Sequence, residues 1–307
     1  MRKPIKRSPQ SNAKLDWGTE FPQSEYDNLV KQYGAFGGSE VMNRFRFVPF
    51  MYQLRPDALK RYRLWVNAVT GGVGLDDSLP NPPYVSIVMA CFYITLPYAQ
   101  GIIAEIACAR KFGARKQEIA DLLALGWIHS GPYGVNTIAE VAGPYMEAWE
   151  ENDGAPGVTW PEGWSVEPDV FRCGIDFSQG SDENHISPAE LAKIKAWHRK
   201  WEGEVPKYVP FLAKHYPLAL RALRARYENA LMGSLPKQLI ALCRVVLSAA
   251  WMRPDALRRS VYLAKQVGVS KDHVVQILVL AQLYIGDVGM DGAIDGMGTV
   301  LDRWNNK

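Results

Sequence analysis

Two stretches decide how this chain folds: YAQGIIAEIACARKFGARKQEIADLLALGWIHSG, residues 98–131, and RPDALRRSVYLAKQVGVSKDHVVQILVLAQLYIG, residues 253–286. They are equally long, and Gly113 falls opposite Gly268 and Gly131 opposite Gly286. Within each, apolar residues recur at i, i+3 and i+4, the spacing that lines one face of a helix. Gly113 and Gly268 stand where that spacing breaks, and glycine tolerates the positive φ of a helix stop. A Lys sits in the first turn that follows each, and Ser270 is placed to cap the second of these helix starts. Each stretch reads as two helices joined by a tight turn.

The likeness extends outward. FVPFMYQLRPDALK (47–60) aligns with YVPFLAKHYPLALR (208–221), sharing Val-Pro-Phe, a later Pro and Ala-Leu before a cation. DSLPNPPYVSIVM (77–89) aligns with GSLPKQLIALCRV (233–245), sharing Ser-Leu-Pro before an apolar run. Matched blocks in one order are the mark of an internal duplication. Strand-like alternation is not sustained anywhere, so the expected fold is all-α: two tandem helical repeats packed as an intramolecular pseudo-dimer. The expected divisions are a basic, disordered arm at 1–20, a first repeat at 21–144, an insert at 145–207 and a second repeat at 208–307. The insert opens with a stretch rich in Gly, Pro, acids and aromatics, which predicts irregular structure of the kind that carries function or an interface. Ser187-Pro188-Ala189-Glu190 is then a capping box. It opens a helix whose charged side is expected to face solvent, with His185 and His198 exposed.

Composition excludes several classes. At 307 residues, 48% apolar and 22% charged, the chain has the make-up of a globular protein with a sizeable core. A net charge of +3 is too small to argue for a nucleic-acid partner. No run reaches the ~18 consecutive apolar residues of a membrane span; the nearest, VSIVMACFYITLPYAQGIIAEIACA, is interrupted by Pro97 and Glu105. MRKPIKRSPQSNAK lacks the apolar segment of a secretory signal. Cys91, Cys108, Cys173 and Cys243 are widely spaced, which suits a reducing, cytoplasmic setting. The five histidines form no H-x-x-x-H or H-E-x-x-H arrangement, and there is no Gly-rich phosphate loop. Neither a metal nor an organic cofactor is expected.

A long apolar helix, a helix closing in A-x-x-x-G, a second apolar helix and Y-x-G together resemble the carboxymuconolactone decarboxylase and alkylhydroperoxidase superfamily. The likeness covers most of 238–301 and, less clearly, 82–141. It implies a small-molecule substrate and assembly into rings of dimers, so that a fused pair would form a homo-oligomer, a trimer in the first instance. The peroxidase branch carries C-x-x-C-x-x-x-H. Counted back from the shared glycine, those positions hold Tyr98, Gly101 and Glu105 here, and Arg253, Ala256 and Ser260 in the second copy. Thiol peroxidase chemistry needs an attacking thiolate and a resolving partner, and neither copy supplies them. The family's helix-borne Glu is missing too: Ser86 lies near its place in the first copy and Gln238 in the second.

What replaces the thiols then carries the functional expectation. Glu105 is an acid inside an apolar helix, where burial would raise its pKa into the range useful for proton transfer. The plain alternative is a carboxylate neutralised by a buried Arg. His129, at the position of Tyr284 in the other copy, is the expected acid–base partner. Tyr98 is the expected oxyanion donor. Tyr133, Trp127, Tyr284 and Arg253 are candidate substrate contacts, while the second copy's site is expected to have become structural. The leading reading is a cofactor-independent decarboxylase, lyase or isomerase acting on a small oxo-acid, lactone or aromatic-derived compound. Two others stand beside it: a non-catalytic scaffold with a decayed site, and a metal-assisted hydrolase or lyase using His129, Glu105 and an acid such as Asp287.

Overall fold

The computed structural model describes residues 16–37, 46–70, 84–95, 101–150, 157–178, 186–231, 233–297 and 300–304. Helix is the dominant regular structure, and no strand occurs among the described residues. In the first half of the chain come α1 (Gln23–Gly37), α2 (Phe47–Leu54), α3 (Pro56–Thr70), α4 (Tyr84–Thr95), α5 (Ile102–Lys111) and α6 (Lys116–Glu147). In the second come α7 (Pro188–Glu202), α8 (Tyr208–His215), α9 (Pro217–Leu231), α10 (Lys237–Ala250), α11 (Pro254–Gln266) and α12 (Lys271–Met297). The opening three helices of each half measure 15, 8 and 15 residues.

Local chemistry sets these boundaries. The residue before a proline is pushed out of the helical region. Arg55 before Pro56 and Tyr216 before Pro217 therefore leave it at φ −149 and −146, ending α2 and α8. Pro56, Pro188, Pro217 and Pro254 each open a helix, where a missing N–H costs nothing. The turns after α5 and α11 close alike: Ala114 N–H donates to the Ala109 carbonyl and Val269 N–H to that of Ala264, both at 2.9 Å. Gly113 and Gly268 take φ of 93 and 86 to allow it. Ser187 caps α7 as its motif predicts, accepting from Glu190 N–H at 3.1 Å while its own N–H donates to the Glu190 carboxylate at 3.0 Å. Ser270 accepts from His273 N–H at 3.2 Å.

The two long helices are each broken once. Gly131 (φ 67, ψ −170) interrupts α6 and Gly286 (φ 68, ψ −171) interrupts α12. By length and composition α12 is apolar enough to cross a membrane; Gly286 breaks it, and it packs on α10 and α11.

At the centre, α4 lies against α10, both almost wholly buried. Around them sit two satellite clusters: Phe21, Leu29, Val48, Leu59 and Ala104 under α1–α3, and Ile186, Ile194, Val209 and Leu220 under α7–α9. The polar clasps match as well. Lys60 of α3 binds Glu25 of α1 at 2.6 Å, and Arg221 of α9 binds Glu190 of α7 at 3.0 Å. The long helices cross between halves: α12 packs on α3 and α4, and α6 packs on α9 and α10.

One expectation from the sequence fails here. His198 is buried to 1% exposure, along with Ile194, Trp197 and Glu202 on the same helix. The cause is compensation: Glu202 accepts from the His198 ring at 2.7 Å, and the Trp197 indole N–H donates to the Val170 carbonyl at 2.8 Å. Charged residues with partners in the interior do not need to face water.

Candidate functional site

α5 buries Ile102, Ile103, Ala104, Ile106, Ala107 and Ala109, and Glu105 stands among them. Its carboxylate meets the phenol of Tyr284, which donates to Oε1 at 3.2 Å. Tyr284 arrives on α12, and two rings of α4 fix it. Phe92 stacks on it with centroids 4.4 Å apart and planes 7° from parallel. Tyr93 meets it edge-on at 5.5 Å. Tyr93 in turn lies over Gly101, where a Cβ would fall inside its ring. The glycine at the head of α5 is thus what lets this aromatic shelf form.

The environment acts on both groups. Burial pushes Glu105 up to about 7, with the Tyr284 hydrogen bond pulling partly the other way. The Tyr284 phenol is raised well above its ordinary value, first by burial and then by the nearby carboxylate. Among the described residues the polar partner of Glu105 is the Tyr284 phenol, and no cation pairs with the acid. At neutral pH such a carboxyl populates both protonation states, which is what a proton-transfer group requires.

A cavity of about 330 Å³ lies between α2 and α3, lined by Phe47, Met51, Ala58, Leu59 and Tyr62. Neither Glu105 nor Tyr284 lines it, although Ala104 of α5 packs in one cluster with Leu59, Met51 and Tyr62. The Tyr62 phenol is also close enough to influence Tyr284. Apolar walls with a few convergent polar groups are the usual make-up of a small-molecule pocket.

His129 is not part of this arrangement. The charges that reach it are those of Arg244 and Glu202, and Glu105 is not among them. Burial, with Arg244 second, lowers its pKa to about 3, against a smaller opposing pull from Glu202. At neutral pH it is therefore a neutral imidazole, and its Nε2 has no partner among the described residues. The partner expected for Glu105 is thus replaced by Tyr284, because the long helices cross between halves and each delivers its residue to the opposite side.

The remaining candidates scatter. Trp127 is 47% exposed, with the Arg226 guanidinium 4.7 Å from its ring. Arg253 is exposed at the start of α11. Asp287 is exposed and accepts from Val288 N–H at 2.9 Å. Tyr98 lies outside the described residues, as does the side chain of Tyr133. Among the described residues no group of three or more His, Cys, Asp or Glu side chains is placed to hold a metal ion. Sequence reasoning missed Arg244, Glu202 and Tyr227, although a lone Arg inside the apolar run ALCRVVLSAA was a readable signal. Compared with family models, with curated proteins and with solved structures, the chain matches none of them.

Proposed function

We propose that the chain is a cofactor-independent enzyme that moves protons on a small oxo-acid, lactone or aromatic-derived compound, as a decarboxylase, lyase or isomerase. One observation carries the reading: Glu105, poised near neutrality by burial, is hydrogen-bonded to Tyr284, and Tyr62, which acts on Tyr284, lines an apolar cavity. In the proposed reaction, the Glu105 carboxylate takes a proton from a carbon next to a carbonyl, or returns one to it after loss of a carboxyl group. Tyr284, released from Glu105 when substrate enters, donates to the enolate oxygen that develops. The apolar walls keep water from the carbanion-like centre and strengthen both interactions. A decayed scaffold would have no reason to keep an acid that, among the described residues, has a phenol and no cation for a partner, since burying one so costs stability.

The proposal includes an internal duplication, α1–α6 against α7–α12, on the pattern of the carboxymuconolactone decarboxylase superfamily. Its support lies in the matching helix lengths, the paired glycines and the repeated Lys60–Glu25 and Arg221–Glu190 clasps. On this reading the second copy starts at α7, not at Tyr208, and α7 is the counterpart of α1. A homo-oligomer, cytoplasmic and free of nucleic-acid or membrane partners, remains part of the proposal.

The test is deuterium exchange and product formation over a panel of small oxo-acids and lactones, comparing the natural chain with Glu105→Gln. Loss of both in the variant, with unchanged helical circular dichroism, is the expected result. Equal turnover in the two proteins would sink the assignment.

A further inference from the structure

A second polar group lies buried in the other half, and the chemistry assigned to Glu105 makes no use of it. Arg244 on α10 is 6% exposed, Tyr227 on α9 is 6% exposed and Arg224, also on α9, is 4% exposed. Both guanidinium groups sit on the Tyr227 ring, Arg224 at 4.9 Å and Arg244 at 5.4 Å from its centroid. Glu202 takes one Arg244 N–H and the His198 ring, and Glu228 takes Arg224 Nε at 3.0 Å.

These bonds do not exhaust the donors. Arg244 Nε and Nη1, Arg224 Nη1 and the Tyr227 hydroxyl are all buried without a hydrogen-bond partner among the described residues. So is Nε2 of His129, which α6 brings in from the first half within reach of the Arg244 charge. An unsatisfied buried donor costs about 1–3 kcal/mol, and more on a charged group. A native fold therefore seldom keeps several together unless something binds them. Four of the five atoms here are obligate or available donors, and the fifth, an imidazole nitrogen, can act as one. The group they lack is an acceptor.

Charge and donor type narrow the choice. Arg224 faces Glu228 and Arg244 faces Glu202, two cations against two anions, while Arg259, 4.0 Å from Glu202, is held more closely by Glu204 at 3.3 Å. The unfilled donors are mostly guanidinium N–H groups, which bond most strongly to a carboxylate, and a dianion would bring a second charge with no cation to meet it. His198 and His129 add none, since burial lowers both. Ser248, one turn from Arg244 on the same face of α10, is already engaged with Ser260 at 2.9 Å, and Ser260 with the Ala256 carbonyl. Those small side chains do not compete for the arginine.

We propose that Arg244, Arg224, Tyr227 and His129 form a binding site for a small organic carboxylate in the second half of the chain. The site stands on these orphaned donors alone and does not depend on Glu105 being catalytic. The sequence expectation that this half became purely structural is thereby replaced with a recognition site.

The experiment is calorimetric titration of the full chain with sodium acetate and sodium propionate, which lack the second carbonyl that the Glu105 reaction needs, against sodium phosphate at equal ionic strength. Saturable carboxylate binding is expected, weakened about tenfold or more in Tyr227→Phe, which removes one hydroxyl donor and leaves the ring. Arg244→Lys should weaken it further, and Glu105→Gln should leave it unchanged. Tyr227→Phe keeps the test meaningful if Arg244→Lys does not fold. The proposal is overturned if no carboxylate saturates, as when water alone satisfies the donors. Phosphate binding as tightly, Tyr227→Phe binding normally, or Glu105→Gln abolishing the signal would each overturn it too.

Discussion

Tyr284 of α12 donates its phenolic proton to Glu105 of α5 across 3.2 Å, joining two residues that stand 179 positions apart in the chain. The acid belongs to one half and its partner to the other.

Removing the carboxyl should remove the chemistry. A general acid–base group contributes about 10²–10⁴ in rate, so Glu105→Gln should lower kcat by at least about a hundredfold. Circular dichroism should be unchanged, because Gln keeps the shape and can still accept from Tyr284.

Glu105 also predicts a pH dependence of stability. Its folded pKa of about 7 lies above the reference value of 4.5, so the folded state holds the proton more tightly. Its contribution is fully present below pH 4.5 and is lost as pH rises through about 7. The loss is on the order of 3 kcal/mol. Denaturant titrations across that window should show the fall in the natural chain and a flatter profile in Glu105→Gln.

Tyr284→Phe removes the one interaction among the described residues that pulls the Glu105 pKa down. The limb of the pH–rate profile set by Glu105 should therefore move to higher pH, with kcat reduced about tenfold or more. The Phe92 stack survives the change, so thermal stability should hardly move.

His129 should stay neutral. Proton NMR should show its imidazole silent through the range near 6.5 where an ordinary histidine titrates, responding only as pH approaches 3. The sign is opposite to that of Glu105: a depressed histidine favours folding above 6.5 and weakens it as acid is added. A midpoint near neutrality would contradict the burial described for it.

Gly131→Ala and Gly286→Ala test the two breaks. A Cβ at either position meets nothing within 4 Å, so any cost comes from the backbone alone. With φ of 67 and 68 and ψ near −170, these residues occupy a region almost restricted to glycine. Alanine should cost about 1–3 kcal/mol at each, read as a lower Tm. Gly286→Ala should also reduce activity more than Gly131→Ala, because Tyr284 lies two residues away.

How much of this could be read in the sequence depended on the residue. Gly113 and Gly268 were legible because a backbone demand restricts the residue that can meet it; Gly131 and Gly286 could be paired in the sequence, but the breaks they make in α6 and α12 could not. Glu105 was legible as an acid in an apolar helix. The correspondence proposed between α7 and α1 was not, since the two share little beyond the buried Leu29 and Ile194 and the clasping Glu25 and Glu190. Pairing His129 with Glu105 failed for another reason. Alignment places residues within their own copy and gives no sign that the long helices trade places. The Arg244–Glu202–His198 group joins α10 to α7 and was hidden by the same rule: charges cancel in space, not along the chain.

Under the proposed duplication, the crossing of α6 and α12 has an evolutionary corollary. In a symmetric pair of separate chains, any substitution strikes both pockets at once, so neither is free to change alone. With the two halves joined covalently, position 105 can be an acid while position 260 is a serine, and position 284 a phenol while position 129 is an imidazole. Glu105 draws its Tyr284 from the opposite half, and His129 comes to the charges of Arg244 and Glu202, so a mutation in one long helix acts on the chemistry of the other half. Fusion of this kind turns a single design into two that selection can shape separately.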